Sequence, residues 1–82
     1  MLELSYEEVE EYKKLYHCMI VDDLYMRDAD GTIRFYFGVI NPHNPNIEDL
    51  RSIYTHHRHV SKIIQQFPLL VRKIEILNTL MI

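Results

Sequence analysis

The chain has 82 residues and a formal net charge of −3, and 48% of its residues are hydrophobic. This length accommodates one domain, and length and composition together argue against a disordered protein, a collagen and a multidomain enzyme. No apolar run approaches the ~20 residues that cross a bilayer, the acidic start is unlike a signal peptide, and Cys18 has no second cysteine for a disulfide. We therefore expect a cytoplasmic domain without membrane association.

The first predicted element is a helix over residues 6–20. Ser5 and Glu8 have the spacing of a capping box, and the glutamates of the first turns favour the positive end of the helix dipole. Apolar residues recur at spacings of three and four and form one face. They are Val9, Tyr12, Leu15, Tyr16, Met19 and Ile20.

A β-hairpin is predicted next, with strands at about 23–27 and 32–40. The Asp-Ala-Asp-Gly segment between them is a strong turn signal, and the second strand is rich in aromatic and β-branched residues. A four-residue loop pairs Met26 with Ile33. Alternation along the second strand places four side chains on one buried face, namely Ile33, Phe35, Phe37 and Val39.

Two helices complete the predicted fold. Asn46 is a good N-cap, and the apolar stripe that follows it predicts a long helix over about 47–67. Pro68 ends this helix and can open another, and the C-terminal helix over about 68–81 is apolar on most of its circumference. The sequence thus predicts a single small α+β domain: N-terminal helix, hairpin, long helix, apolar C-terminal helix.

The C-terminal helix carries more apolar surface than so short a chain is expected to bury, since each other element offers one apolar face. We therefore expect a protein partner, in the simplest case a second copy in a two-fold homodimer. The alternative is a central helix wrapped by its own chain. The partner-binding residues are predicted to be Leu70, Ile74, Leu77, Leu80 and Met81.

Charge is unevenly distributed along the chain. Residues 1–30 contain nine acidic and three basic residues, whereas residues 31–82 contain six basic and three acidic ones. Arg51, Arg58 and Lys62, at spacings of seven and four, share a face of the predicted long helix and allow a nucleic-acid contact. The acidic half allows mimicry of a nucleic acid toward a basic partner. Alternatively, both halves are solvated faces of one domain.

The histidine-rich segment is the strongest candidate for a metal site. His56 and His59 lie three residues apart on one face of the predicted helix. Zinc requires three or four protein ligands, and this segment supplies two, so we predict no metal and no cofactor. Cys18 and its neighbour His17 diverge by about 100° on a helix, so they form no nucleophilic dyad, and we assign no catalytic residue.

Two tyrosines of the hairpin form a candidate surface cluster. Tyr25 and Tyr36 are predicted on its outer face, on either side of Arg34. Tyrosine pairs an apolar ring with a polar tip and suits an interface. The cluster is either a stack of surface side chains or the edge of a binding face.

The sequence as a whole predicts a non-catalytic protein-interaction module, a homodimeric accessory or inhibitory protein that uses its C-terminal helix. The alternative is a small nucleic-acid-associated or nucleic-acid-mimicking factor.

Overall fold

A computed structural model describes residues 3–21 and 25–80. Over these residues the chain forms four helices and one antiparallel sheet in the strand order β1-β2-β3, so the predicted α+β class and the order helix, hairpin, helices are confirmed. The elements are α1 (Tyr6–Ile20), β1 (Met26–Arg27), β2 (Ile33–Phe35), β3 (Gly38–Ile40), α2 (Ile47–His56), α3 (Arg58–Ile64) and α4 (Pro68–Leu80).

The start of α1 has the predicted capping box. The Glu8 backbone N–H donates to the Ser5 hydroxyl at 3.1 Å, and the Ser5 backbone N–H donates to the Glu8 carboxylate at 2.7 Å. Two N–H groups that the helix itself leaves without partners are thereby satisfied. The apolar face of α1 enters the core through Tyr12, Leu15 and Met19.

The first hairpin differs from the prediction in its register. Met26 pairs with Arg34 and Arg27 pairs with Ile33, a shift of one residue, and residues 23–24 of the predicted strand lie outside the described residues. Gly31 has a φ of 90°, a conformation that other residues rarely adopt. Met26 and Arg34 are exposed as a cross-strand pair, and Ile33 is left to enter the core.

The predicted strand 32–40 is two strands. Phe35 pairs with Gly38, so a two-residue turn at Tyr36 and Phe37 reverses the chain and starts β3. The shared face predicted from continuous alternation is therefore wrong. Because the chain folds back, Ile33 lies opposite Ile40 and both are buried, whereas Phe37 is 39% exposed.

Close packing of β3 against α2 explains the glycine at the start of β3. A Cβ built on Gly38 would lie 2.8 Å from the Asp49 carbonyl oxygen and 3.1 Å from Cγ1 of Ile53. The absence of a side chain at Gly38 lets the strand approach the helix backbone. The turn that precedes Gly38 is thereby held close to α2, and its Phe37 ring stacks on His56 at the end of that helix.

The predicted long helix 47–67 is broken into α2 and α3 at His57. His57 has extended backbone angles, φ −117° and ψ 99°. Its N–H still donates to the Ile53 carbonyl oxygen and ends α2, while its Nδ1 accepts the Val60 N–H at 3.2 Å and caps α3. A side chain read as part of an apolar stripe is therefore an N-cap, and α3 takes a new course from this point.

The start of α4 is capped by a residue from α1. Phe67 precedes the helix and has no side-chain acceptor, and Pro68 has no N–H. The Glu11 carboxylate accepts the Leu70 N–H at 3.1 Å, across 59 positions of sequence. Glu8 also reaches α4, with its carboxylate 3.5 Å from the Lys73 ammonium.

All four helices and the sheet contribute to one core. α4 contacts each of α1, α2 and α3. The core residues are Tyr12, Leu15, Met19, Ile33, Ile40, Ile47, Leu50, Ile53, Val60, Ile64, Phe67, Leu70, Ile74 and Leu77.

Candidate functional site

Three of the five predicted partner-binding residues lie in the chain's own core. Leu70 and Ile74 are fully buried and Leu77 is 3% exposed, so the prediction that they form a partner surface is corrected. The physical reason is that α3, separated from α2 by the break, supplies a third helix against α4. Leu80 is 54% exposed, and Met81 lies outside the described residues.

A narrower apolar stripe remains on the outside of α4. Leu69, Ile76 and Leu80 are 36%, 42% and 54% exposed. Their spacings of seven and four place them on one side of the helix. This side is the part of the predicted interaction surface that the fold leaves accessible.

The residues proposed for nucleic-acid contact are not on one continuous helix. Arg51 lies on α2, where its Nη1 donates to the Asn78 side-chain oxygen at 3.1 Å and its Nε lies 4.0 Å from the Glu48 carboxylate. Arg58 and Lys62 are exposed on α3, beyond the break. The basic stripe expected from the spacing is therefore interrupted.

The acidic face of α1 is partly engaged within the fold. Glu8 serves the capping box and faces Lys73, Glu11 caps α4, and Glu10 lies 3.9 Å from the Lys13 ammonium. Two of the acidic side chains considered for nucleic-acid mimicry, Glu8 and Glu11, therefore hold α1 against α4.

Histidine positions do not converge on a metal site within residues 3–21 and 25–80, where no group of three or more histidine, cysteine or acidic side chains could hold an ion. The Nδ1 of His56 lies 3.0 Å from the Ser52 carbonyl oxygen, to which it donates, and His59 lies on α3 beyond the break. The part of the chain that the structure describes also has no helix of the length and apolarity that a bilayer crossing needs.

An open cleft lies where β1, β2, the turn at Tyr36 and the break at His57 meet. Its volume is about 620 Å³. We refer to it as the aromatic cleft, and its lining residues are Tyr25, Met26, Arg34, Phe35, Tyr36, Phe37 and His57. It contains the surface cluster that the sequence indicated around Arg34, together with residues that the sequence placed in the core.

The rings of the aromatic cleft brace one another. Phe35 contacts Tyr25 at a centroid distance of 6.3 Å and meets His57 edge-on at 5.2 Å. Tyr36 meets Phe37 edge-on at 5.0 Å, with an interplanar angle of 86°. Such pairs have the geometry that aromatic quadrupoles favour. The cleft wall is therefore held in place by ring contacts from the sheet and from the helix break.

His56, just outside the lining, supports the turn from α2. Its ring stacks on Phe37 with a centroid distance of 4.9 Å and an angle of 20°. The backbone of α2 fixes His56 through its bond to the Ser52 carbonyl oxygen. Phe37 thus rests on a helix, while its neighbour Tyr36 extends into solvent and is 94% exposed.

Arg34 carries the positive charge of the cleft. Its Nε–H donates to the Asp28 carboxylate at 2.6 Å, and this bond and the Asp28 charge raise the pKa of the Arg34 guanidinium above its usual value. The group has four further N–H donors on its two terminal nitrogens. An ion pair at the exposed edge therefore orients Arg34 beside the rings.

The two residues of the turn are unusual for their position. Two-residue hairpin turns favour asparagine, aspartate or glycine, whereas this one contains Tyr36 and Phe37, neither with positive φ. The glycine that follows the turn, Gly38, is explained by the close approach of β3 to α2 and does not account for the two aromatic residues. Aromatic residues placed where turn chemistry prefers small polar ones indicate a role other than turn formation.

A second groove lies between the starts of α1 and α2 and has a volume of about 420 Å³. One of its polar side chains is already engaged, because the Asn46 side-chain oxygen accepts the Glu48 and Asp49 N–H groups as the N-cap of α2. Burial, with the nearby Glu48 charge, raises the pKa of the Asp49 carboxyl. The other lining residues are Glu3, Leu4, Val9, Pro45 and Ile47.

Comparison with protein-family models, with curated proteins and with solved structures gave no match.

Proposed function

We propose that this chain is a non-catalytic protein-interaction module and that the aromatic cleft is its contact surface. The observation that carries the proposal is the turn at Tyr36 and Phe37, which presents one ring at 94% exposure and another at 39%. Met26 adjoins them in the cleft and is 76% exposed. Tyrosine, phenylalanine, methionine and arginine are the residues enriched at protein interfaces.

The energetics favour an interface over a structural role for these side chains. An aromatic side chain buries 150–250 Å² when it is covered, and Tyr36 gains almost none of this in the isolated chain because it is 94% exposed. A ring with two rotatable angles loses little entropy when a partner covers it. The braced rings around Tyr36 supply a preorganised surface, which lowers the cost of binding.

The test is site-specific photo-crosslinking in cells of the encoding organism. A benzophenone amino acid replaces Tyr36 in one variant and, as a control, Tyr6 in another, since Tyr6 is 77% exposed at the start of α1. We expect one defined protein adduct from position 36 and none at that mass from position 6. The captured protein, once purified, should bind the Tyr36→Ala chain about tenfold more weakly than wild type.

Two outcomes of this experiment contradict the proposal. One is an adduct pattern that is the same from both positions. The other is an adduct to RNA or DNA from position 36, with a purified affinity that falls steeply with salt, which would favour the nucleic-acid alternative.

A second candidate is self-association through the stripe of Leu69, Ile76 and Leu80 on α4. The exposed fractions of these three side chains and their common side of the helix favour it. Sedimentation equilibrium should detect a dimer at micromolar concentration, which Ile76→Glu should convert to a monomer with an unchanged circular dichroism spectrum. Glu75→Lys, at an exposed position of the same helix about 100° or more around the axis from each of these three side chains, is the control. A wild-type monomer at all concentrations, or a dimer that Ile76→Glu leaves intact, would remove this candidate.

A further inference from the structure

We infer that the aromatic cleft binds an extended, proline-containing peptide segment that carries acidic residues. This inference rests on the proposed function and specifies its partner class. It follows from the shape of the cleft, the chemistry of its lining and the sign of its charge.

The openness of the cleft argues against a small molecule. A small-molecule site buries 70–90% of its ligand, whereas a ligand against Tyr36 would meet a side chain that is itself 94% exposed. A surface of this kind gains contact area from a ligand that runs along it. The lining residues follow such a path, from Tyr25 and Met26 on the β1 side to Phe37 at the turn.

The lining chemistry matches a polyproline II segment. Such a helix has no internal hydrogen bonds, so its carbonyl oxygens need donors, and its proline rings pack on aromatic faces. The cleft supplies rings from Tyr25, Phe35, Tyr36 and Phe37, and N–H donors from Arg34. A segment already ordered in this conformation loses little entropy on binding, which suits a shallow site.

The charge of the lining indicates an acidic ligand. Arg34 is the cationic residue among the lining residues, and none of those residues is a carboxylate. The Asp28 carboxylate accepts one hydrogen bond from the Arg34 guanidinium, from its Nε–H. A ligand carboxylate that approaches the two terminal nitrogens would accept further charge-assisted hydrogen bonds from the same group. A nucleic acid fits less well, because phosphate binding draws on several converging cations and the lining supplies one, Arg34.

The experiment titrates the full chain, labelled with ¹⁵N, with three synthetic peptides of about ten residues. The first has glutamate at every third position and proline elsewhere, which aligns the carboxylates along one edge of a helix with three residues per turn. The second replaces glutamate by lysine, and the third replaces proline by alanine. We expect the first peptide to shift the amides of Arg34, Tyr36, Phe37 and His57 and to bind about tenfold more tightly than either control.

Variants separate the cleft from the rest of the surface. Tyr36→Ala should weaken binding of the first peptide about tenfold, as loss of one interface hot spot does, and Arg34→Gln should remove the preference for glutamate over lysine. Tyr6→Ala is the matched control and should bind as wild type does. Because Tyr36 and Arg34 are exposed, unchanged circular dichroism spectra will show that each variant is folded.

Several results would overturn the inference. Equal affinity for the glutamate and lysine peptides would contradict the preference for an acidic ligand. Equal affinity for the proline and alanine peptides would contradict the requirement for an extended, proline-containing ligand. Shifts of the same amides by a ten-nucleotide oligothymidylate, with a steep salt dependence and no peptide binding, assign the cleft to nucleic acid. If no peptide binds while position 36 still crosslinks a defined protein, the peptide class is wrong and the proposed function stands.

Discussion

Replacement of Gly38 by alanine should destabilise the fold. The new Cβ would lie 2.8 Å from the Asp49 carbonyl oxygen, closer than such atoms approach, and this oxygen belongs to the backbone of α2, which cannot rotate away. Inserting one carbon into a packed contact of this kind costs about 1–3 kcal/mol. In a domain of this size each kcal/mol lowers the melting temperature by roughly 4–8 °C.

The direction of the stability change distinguishes a close contact at Gly38 from an open one. The φ angle of Gly38 is not in the positive region, so in the absence of the clash alanine would stabilise the chain by about 0.4–1 kcal/mol through the unfolded state. Urea unfolding followed by circular dichroism measures the change, and amide shifts locate it at Asp49 and Ile53. A Gly38→Ala chain as stable as wild type, or more stable, would refute the close packing of β3 on α2.

Three further predictions concern the contacts that set the course of the chain. His57→Ala should lower the free energy of unfolding by about 1 kcal/mol more than His57→Asn does. Both variants lose the ring contact with Phe35, but asparagine keeps an N-cap acceptor for the Val60 N–H. Equal losses of stability in urea unfolding would exclude the capping role. Glu11→Ala should cost about 1–2 kcal/mol and Glu11→Gln less, because glutamine retains an oxygen for the Leu70 N–H, and a glutamine variant as unstable as the alanine variant would contradict this cap. Burial raises the pKa of Tyr12 from 10.0 to about 12, so the neutral phenol is favoured in the fold and stability should fall as the pH rises from 10 toward 12, where tyrosines of the unfolded chain are already ionised. Tyr12→Phe should lack this fall and, at pH 7, should cost about 1–3 kcal/mol because the Asn41 N–H loses its acceptor; thermal unfolding between pH 7 and pH 11 tests both.

The proposed contact surface depends on the two places where the chain departs from regular structure. The turn at Tyr36 ends β2 early, and the break at His57 brings an imidazole to the edge of Phe35. In a continuous strand Tyr36 and Phe37 would lie on opposite faces of the sheet. In the fold they meet edge-on beside each other, and the cleft exists because both departures occur at the same end of the sheet.

Local signals in the sequence determined the starts of α1 and α2. The Ser5 and Glu8 pair predicts its own capping box, and Asn46 predicts the start of α2, because each cap involves residues two or three positions apart. The buried positions of α1 and α2 follow from the helical period. These features depend on residues that are close in sequence, so no tertiary information is needed.

Tertiary structure decided the features that depend on distant residues. The start of α4 is capped by Glu11 from the other end of the chain, and the break at His57 allows α3 to pack against α4. The continuous pattern of apolar residues from α2 through α3 fits one long helix as well as two. The spacing of apolar residues indicates which side of a helix is buried, but it does not indicate whether the helix axis changes direction. Whether Leu70 and its neighbours lie inside the domain or at its surface is set by how the other helices are arranged around α4, and no local pattern encodes that arrangement.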